Sequence, residues 1–352
     1  MTTMNLSTQS NSAHGLWPLF LAIEANAGDA AWQHLLNEAG TAAATAFGAA
    51  GSEQLEAELA LHRVLYALYA GRIATPWTPG WRDLDHHRFD QLRQVLEQAW
   101  SDSETARHGE LFGTPPAPEQ FEQWASAHCR SHRSNVGHPL FAFLRDAASH
   151  EQLREFLVQE TPFDIHFGDI LAKMLPGVYG AAKAEFSKNF WDEMGRGETA
   201  LMHRQLRLDM TNALGEADDV YLNDIERFCV EELRLANMYF HAVFNRALLP
   251  QAIGMMLATE LMVPGRLDQQ IMGWRRVGWP EERMRYLLEH TVVDVEHAHG
   301  WMHEVVMPMI QARPDLMAPI AFGMARRLEH AAAVCDRMMA LLPSVAATPV
   351  AA

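Results

Sequence analysis

The 352-residue chain reads as an all-α protein. Long stretches carry apolar residues at helical spacing, LEAELALHRVLYALYAG being the clearest, and no run of alternating β-branched residues supports a substantial sheet. The interruptions are short Pro and Gly punctuation. Residues 1–12 are polar and expected to fray. Helical patterns then cover 15–48 and 52–71, where Gly71 supplies a stop, and resume at 83–100 after a linker marked by Pro76, Pro79 and Gly80. The segment HGELFGTPPAPEQ, 108–120, is the strongest boundary, because successive prolines withdraw the N–H donors a helix needs. Beyond it, helices are expected at 120–134, 149–174, 178–211, 216–246, 250–261, 267–276, 281–311 and 323–343. The organisation expected is an N-terminal helical extension over 1–119 with its first residues disordered, a helical bundle over 120–345 and a tail over 346–352.

Composition narrows the function. Lys and Arg number 28 against 44 Asp and Glu, a formal charge of -16, and no basic run is long enough to track phosphates, so nucleic acid is disfavoured as a partner. The N-terminus lacks the charged and apolar regions of a secretory signal, and no uninterrupted apolar run has membrane-spanning length, which leads to the expectation of a cytoplasmic protein without a membrane partner. Cys129, Cys229 and Cys335 are widely spaced and fit reduced core thiols better than a disulfide scaffold or a zinc site. Metal ligands, where present, must come from the 18 histidines and the carboxylates.

One stretch has that chemistry. In RYLLEHTVVDVEHAHGWMHEVV, His290, Asp294 and His297 are spaced by four and then three residues. On a helix, Asp294 falls about 40° to one side of His290 and His297 about 20° to the other, with rises of about 6 and 4.5 Å between successive positions. The three occupy one narrow face, and imidazoles with a carboxylate suit iron, manganese or zinc. The competing reading is a solvated, salt-bridged face. Glu296, His299 and His303 fall off that face and read as surface or supporting groups.

Two further elements match. Glu193 and His203 would lie about 15 Å apart on an unbroken helix, too far to share a metal, unless Gly195 and Gly197 bend or unwind the chain between them. Glu260 sits near the end of the apolar helix IGMMLATELMVPG, where a buried carboxylate needs a partner. The bland alternatives are a terminal carboxylate and a surface histidine.

Taken in order, Asp192-Glu193-Met-Gly-Arg-Gly with His203, then Glu260, then His290, Asp294 and His297 resemble the heme-oxygenase-like non-heme di-iron oxidases and oxygenases, over roughly residues 137–312. The resemblance implies a heme-oxygenase-like helical bundle and two Fe ions held by Glu193, His203, Glu260, His290, Asp294 and His297, with Glu193 and Glu260 as the carboxylates placed to bridge. Some relatives add a carboxylate on an early core helix, and Glu160, Asp164 and Asp169 are all present. The long separation of Glu193 from His203 resembles the amine N-oxygenating branch.

That resemblance implies Fe2+ reacting with O2, with further electrons from substrate or an external reductant and its redox partner. The leading reaction is N-oxygenation of a primary amine, an amino acid or related small metabolite. The nearest alternative is desaturation or C–C cleavage of a fatty or amino acid on the same core; a cofactorless oxidase and a helical metabolite-binding protein are the other classes. Heme is disfavoured, since no residue identifies it. Arg196, Arg204, Arg275, Arg276 and Arg283 are candidate anchors for a substrate carboxylate. Tyr239, His241, Trp191, Trp279 and Trp301 are candidates to line its pocket, and a homodimer is expected because closed dimers are common.

Overall fold

A computed structural model describes residues 15–48, 51–108 and 116–345, excepting the side chains of Ser52 and of 292–295. The frayed start, most of the boundary segment 108–120 and the tail 346–352 lie outside the described residues. No strand occurs among the described residues, and the all-α class holds.

The chain packs as two units, the first comprising the described residues up to Trp77 together with Trp81–Ser103, the second comprising Thr78–Gly80 and the residues from Glu104 onward. In the first, α1 (Leu16–Ala22) and α2 (Asp29–Phe47) are separate helices where one was expected over 15–48. Arg82 occupies the backbone carbonyls of Phe20 and Ile23 that this break exposes. Helix α3 (Ser52–Ile73) runs through Gly71 instead of stopping there, and α4 (His87–His108) begins in this unit, where Phe89 meets Trp32 edge-on at 4.9 Å.

The second unit holds α5 (Phe121–Ser131), α6 (Pro139–Asp146), α7 (His150–Gln159), α8 (Thr161–Asp164), α9 (Phe167–Met174), α10 (Gly180–Glu193) and α11 (His203–Ala213). It continues through α12 (Val220–Asn223), α13 (Val230–Phe244), α14 (Leu249–Arg276), α15 (Arg285–Gly300), a π-helical segment over Trp301–Val306, α16 (Met307–Ala312) and α17 (Met317–Leu341). The expected helix over 149–174 is three, broken at Glu160 and again before Phe167, and α6 falls where no helix was expected.

Helix α14 is the central element. Met255, Met256 and Leu257 are fully buried, each contributing roughly 1.5–3 kcal/mol of apolar burial. A Cβ on Gly254 would come within 1.9 Å of the Ile320 carbonyl oxygen and one on Gly323 within 2.0 Å of that of Gln251, so α14 and α17 cross backbone against backbone. Contrary to the expected break at Pro264-Gly265, α14 continues through Pro264. Proline has no N–H to give the carbonyl four residues back, which is that of Glu260. Glu260 is thus mid-helix, at the one turn whose hydrogen bond is covalently missing. The helical stretch Arg246–Arg276 is long and apolar enough to cross a membrane by length and composition, although Gln251, Glu260 and Arg266 interrupt its apolar run, and 56% of its most apolar window is buried in the protein. The three thiols are free, with Cys129 and Cys335 buried.

Candidate metal centre

The expected helix over 178–211 is interrupted, and the interruption builds the site. Helix α10 ends at Glu193; Gly195, Arg196 and Gly197 then take left-handed φ values of 60, 55 and 90°, and α11 starts at His203. A Cβ on Gly195 would lie 2.5 Å from backbone atoms of both Leu201 and Met202, so only glycine fits that turn. The reversal brings Glu193 Oε1 to 2.8 Å from His203 Nδ1, where a straight helix would hold them about 15 Å apart.

His290 joins them from α15. Its ring centroid is 4.3 Å from that of His203, and one donor atom from each of Glu193, His203 and His290 falls within a sphere of contacts no longer than 4.8 Å. The Nδ1–H of His290 donates to the Tyr286 carbonyl at 2.7 Å, which leaves Nε2 as the lone-pair nitrogen. Burial, reinforced by His203, lowers the His290 pKa to about 4, so the ring is neutral near pH 7. Burial opposes ionisation of Glu193, yet His203, with His290 and His297, takes its carboxyl below the ordinary value. Neutral imidazole beside ionised carboxylate is the donor state a divalent iron requires.

His297 lies about two turns further along the same face. Its Nε2 meets Asp192 Oδ2 at 3.0 Å, and its Nδ1 lies 3.8 Å from Glu260 Oε2. Glu260 and His297 are both buried. Five of the six predicted residues are therefore gathered by α10, α11, α14 and α15; Asp294 belongs to α15, but its side chain lies outside the described residues. Asp192, which also accepts from Arg196 Nε at 2.7 Å, was not among the predicted site residues. Its adjacency to Glu193 was the available signal.

The three early carboxylates diverge. Asp164 is near enough to Glu193 to feel its charge, receives the Tyr286 hydroxyl and pairs with Arg207 Nε at 3.3 Å. Glu160 accepts from Gln270 Nε2 at 3.3 Å, while Asp169 is half-buried near His166. Beside Glu260 and His290 a cavity extends past Asp164, Arg327 and Arg266 to Glu160, Glu232 and Gln270. None of the five arginines proposed from sequence lines it: Arg196 binds Asp192, Arg204 the Ile165 carbonyl, Arg275 Glu281 and Arg276 the Arg145 carbonyl, and Arg283 covers Trp279. Arg266 and Arg327 do. Their sequence neighbours, Asp268 to Gln270 and Arg326 to His330, are themselves largely polar, so the local sequence did not single them out. Tyr239 and Trp301 are core residues, bonded to Thr259 and to Asn189 respectively; His241 is buried, Trp191 is exposed, and Trp279 lies tilted against Trp274.

A second histidine and carboxylate cluster joins Glu104, His108 and His330. There Glu104 Oε2 is already held by His330 Nε2 at 2.7 Å and Arg326 Nε at 3.1 Å, so a cation is built in.

The profile of the family described as iron-containing redox enzyme matches residues 154–332, just over half of the chain, and the chain belongs to that family. All the groups gathered around Glu193 lie inside the matched stretch. A nitrosourea synthase from Streptomyces achromogenes subsp. streptozoticus is 25% identical over 179 residues, which span 51% of this chain and 38% of that protein. Among solved structures, a domain of unknown function with a heme oxygenase-like fold from Shewanella denitrificans OS217 aligns over 68% of this chain and 100% of its own, at 17% identity and a TM-score of 0.48.

Proposed function

We propose that the protein is an O2-dependent non-heme di-iron oxygenase that oxygenates the nitrogen of a primary amine, an amino acid or related small metabolite. The observation that carries this reading is the convergence of Glu193, His203 and His290 on one buried point, with His297 and Glu260 in contact beside it. Three imidazoles and two carboxylates from four helices are a donor set of the right type and number to begin a two-iron centre, and Asp294 on the same helix face would extend it. The name of the similar nitrosourea synthase, whose product contains oxidised nitrogen, supports nitrogen over carbon as the atom oxygenated.

Bound ferrous iron would supply the electrons and open coordination positions at which O2 is reduced, with an external reductant completing the electron count. The chain's own part is to hold that centre. Glu193 and Glu260 bring two buried carboxyl groups to the site, Tyr286 orients His290 through its carbonyl, and Asp192 orients His297. Asp164, tied to Arg207, stands nearest as a further carboxylate.

The test is anaerobic Fe2+ titration with Mössbauer detection, then rapid mixing with O2 and mass analysis of an amino-acid panel. Two irons per chain, reduced in Glu193→Ala and His290→Ala, together with a product carrying oxygen on nitrogen, are the expected results. Alkene or carbonyl fragments would replace the reaction by desaturation or C–C cleavage on the same core. Absence of bound iron and of O2 consumption would overturn the reading.

A further inference from the structure

The cavity beside Glu260 and His290 contains three polar atoms that the fold buries and leaves without a hydrogen-bond partner: Nη1 of Arg327, Oε1 of Glu232 and Oε1 of Gln270. Their residues are 2, 1 and 2% exposed. Buried polar groups are nearly always satisfied, so three unmet ones on residues that line one cavity point to a ligand. The neighbouring charges are already engaged. Arg207 takes Asp164, the Gln270 amide nitrogen takes Glu160, Arg266 lies over the Phe141 ring, and Arg327 uses Nε on Thr259.

The unmet set has mixed polarity. Arg327 offers a cationic donor, whereas Glu232 and Gln270 offer acceptors, one of them acidic. A simple amine would leave Arg327 unmet, and a fatty acid would leave both acceptors unmet. We propose that this cavity binds the zwitterionic head of a free α-amino acid, with Arg327 taking the carboxylate and Glu232 together with Gln270 taking the ammonium. The inference rests on the oxygenase reading for what happens next: a head group held there directs the remainder of the molecule to Glu260 and His290. Burial, reinforced by Glu160 and Asp164 and opposed by Arg266, pushes the Glu232 carboxyl up.

The test is anaerobic calorimetric titration of the full chain, with and without Fe2+, using the twenty proteinogenic L-amino acids and L-ornithine. The tightest binder is then compared with its methyl ester and its Nα-acetyl derivative. Each derivative is expected to bind at least about tenfold more weakly, the size of one unmet buried hydrogen bond. Arg327→Gln should abolish the preference for free acid over ester, and Glu232→Gln the preference for free amine over acetyl, with iron stoichiometry unchanged in both. The ligand derivatives keep the test valid where a variant fails to fold. Equal binding of ester and acetyl derivatives, or no binder among the panel in protein that holds iron, overturns the proposal while sparing the iron reading; amino-acid binding with this selectivity in protein that takes up no iron does the reverse.

Discussion

Asp192 Oδ2 lies 3.0 Å from Nε2 of His297, a residue 105 positions later in the chain. With that ring nitrogen donating to the carboxylate, the other, Nδ1, is set toward Glu260. Asp192→Asn keeps the shape but removes the charge that fixes the tautomer. Fe2+ affinity is expected to fall about 10–100-fold with the helical circular dichroism spectrum unchanged. Undiminished affinity in a direct titration would remove Asp192 from this positioning role.

Gly195 is the hinge of the Glu193–His203 contact. Its φ of +60° and the 2.5 Å approach of an added Cβ to Leu201 and Met202 make Gly195→Ala costly, by about 1–3 kcal/mol of strain. The variant should melt earlier and bind iron more weakly. Gly180, at φ +68° with nothing within 4 Å of its Cβ site, is the matched control, expected to lose about 1 kcal/mol with iron binding intact. Equal effects on iron at both positions would show that the turn does not hold the site.

The Glu104, Arg326 and His330 triad is buried throughout. Removing Glu104 takes a buried counter-charge from the Arg326 guanidinium, which keeps the neutral Gln251 oxygen, so Glu104→Ala should cost about 3–5 kcal/mol in urea unfolding. A second change, Arg326→Met, should recover part of that loss, since the stranded charge and not the missing contact dominates it. Additive losses would refute this account.

Glu329 carries a signed pH prediction. Its hydrogen bond to His132 at 3.1 Å, with Arg133 at 3.4 Å, lowers its pKa to about 2. A carboxyl depressed in the fold adds stability above its unfolded pKa and loses that contribution as pH falls through the folded value. Because the group is partly solvated, Glu329→Gln is expected to cost only about 1 kcal/mol at pH 7. The difference from the parent should shrink between about pH 4.5 and 2. A constant difference across that range would assign the effect to packing.

Periodicity alone determined the helical class and the shared face of His290 and His297, because a 3.6-residue repeat is a local property that one helix expresses without reference to any other. The same local reading split α14 at Pro264, since proline's penalty is visible in sequence while the packing of α14 against α17 that overrides it is not. It also left the meeting of Glu193 with His203 conditional on an unspecified bend, which the left-handed run at Gly195–Gly197 supplies. Asp192 on His297, and Arg327 and Glu232 on one cavity, were decided only by tertiary structure. Those partners come from helices far apart in the chain, and which face of each helix turns inward toward which neighbour is set by the packing of the whole unit.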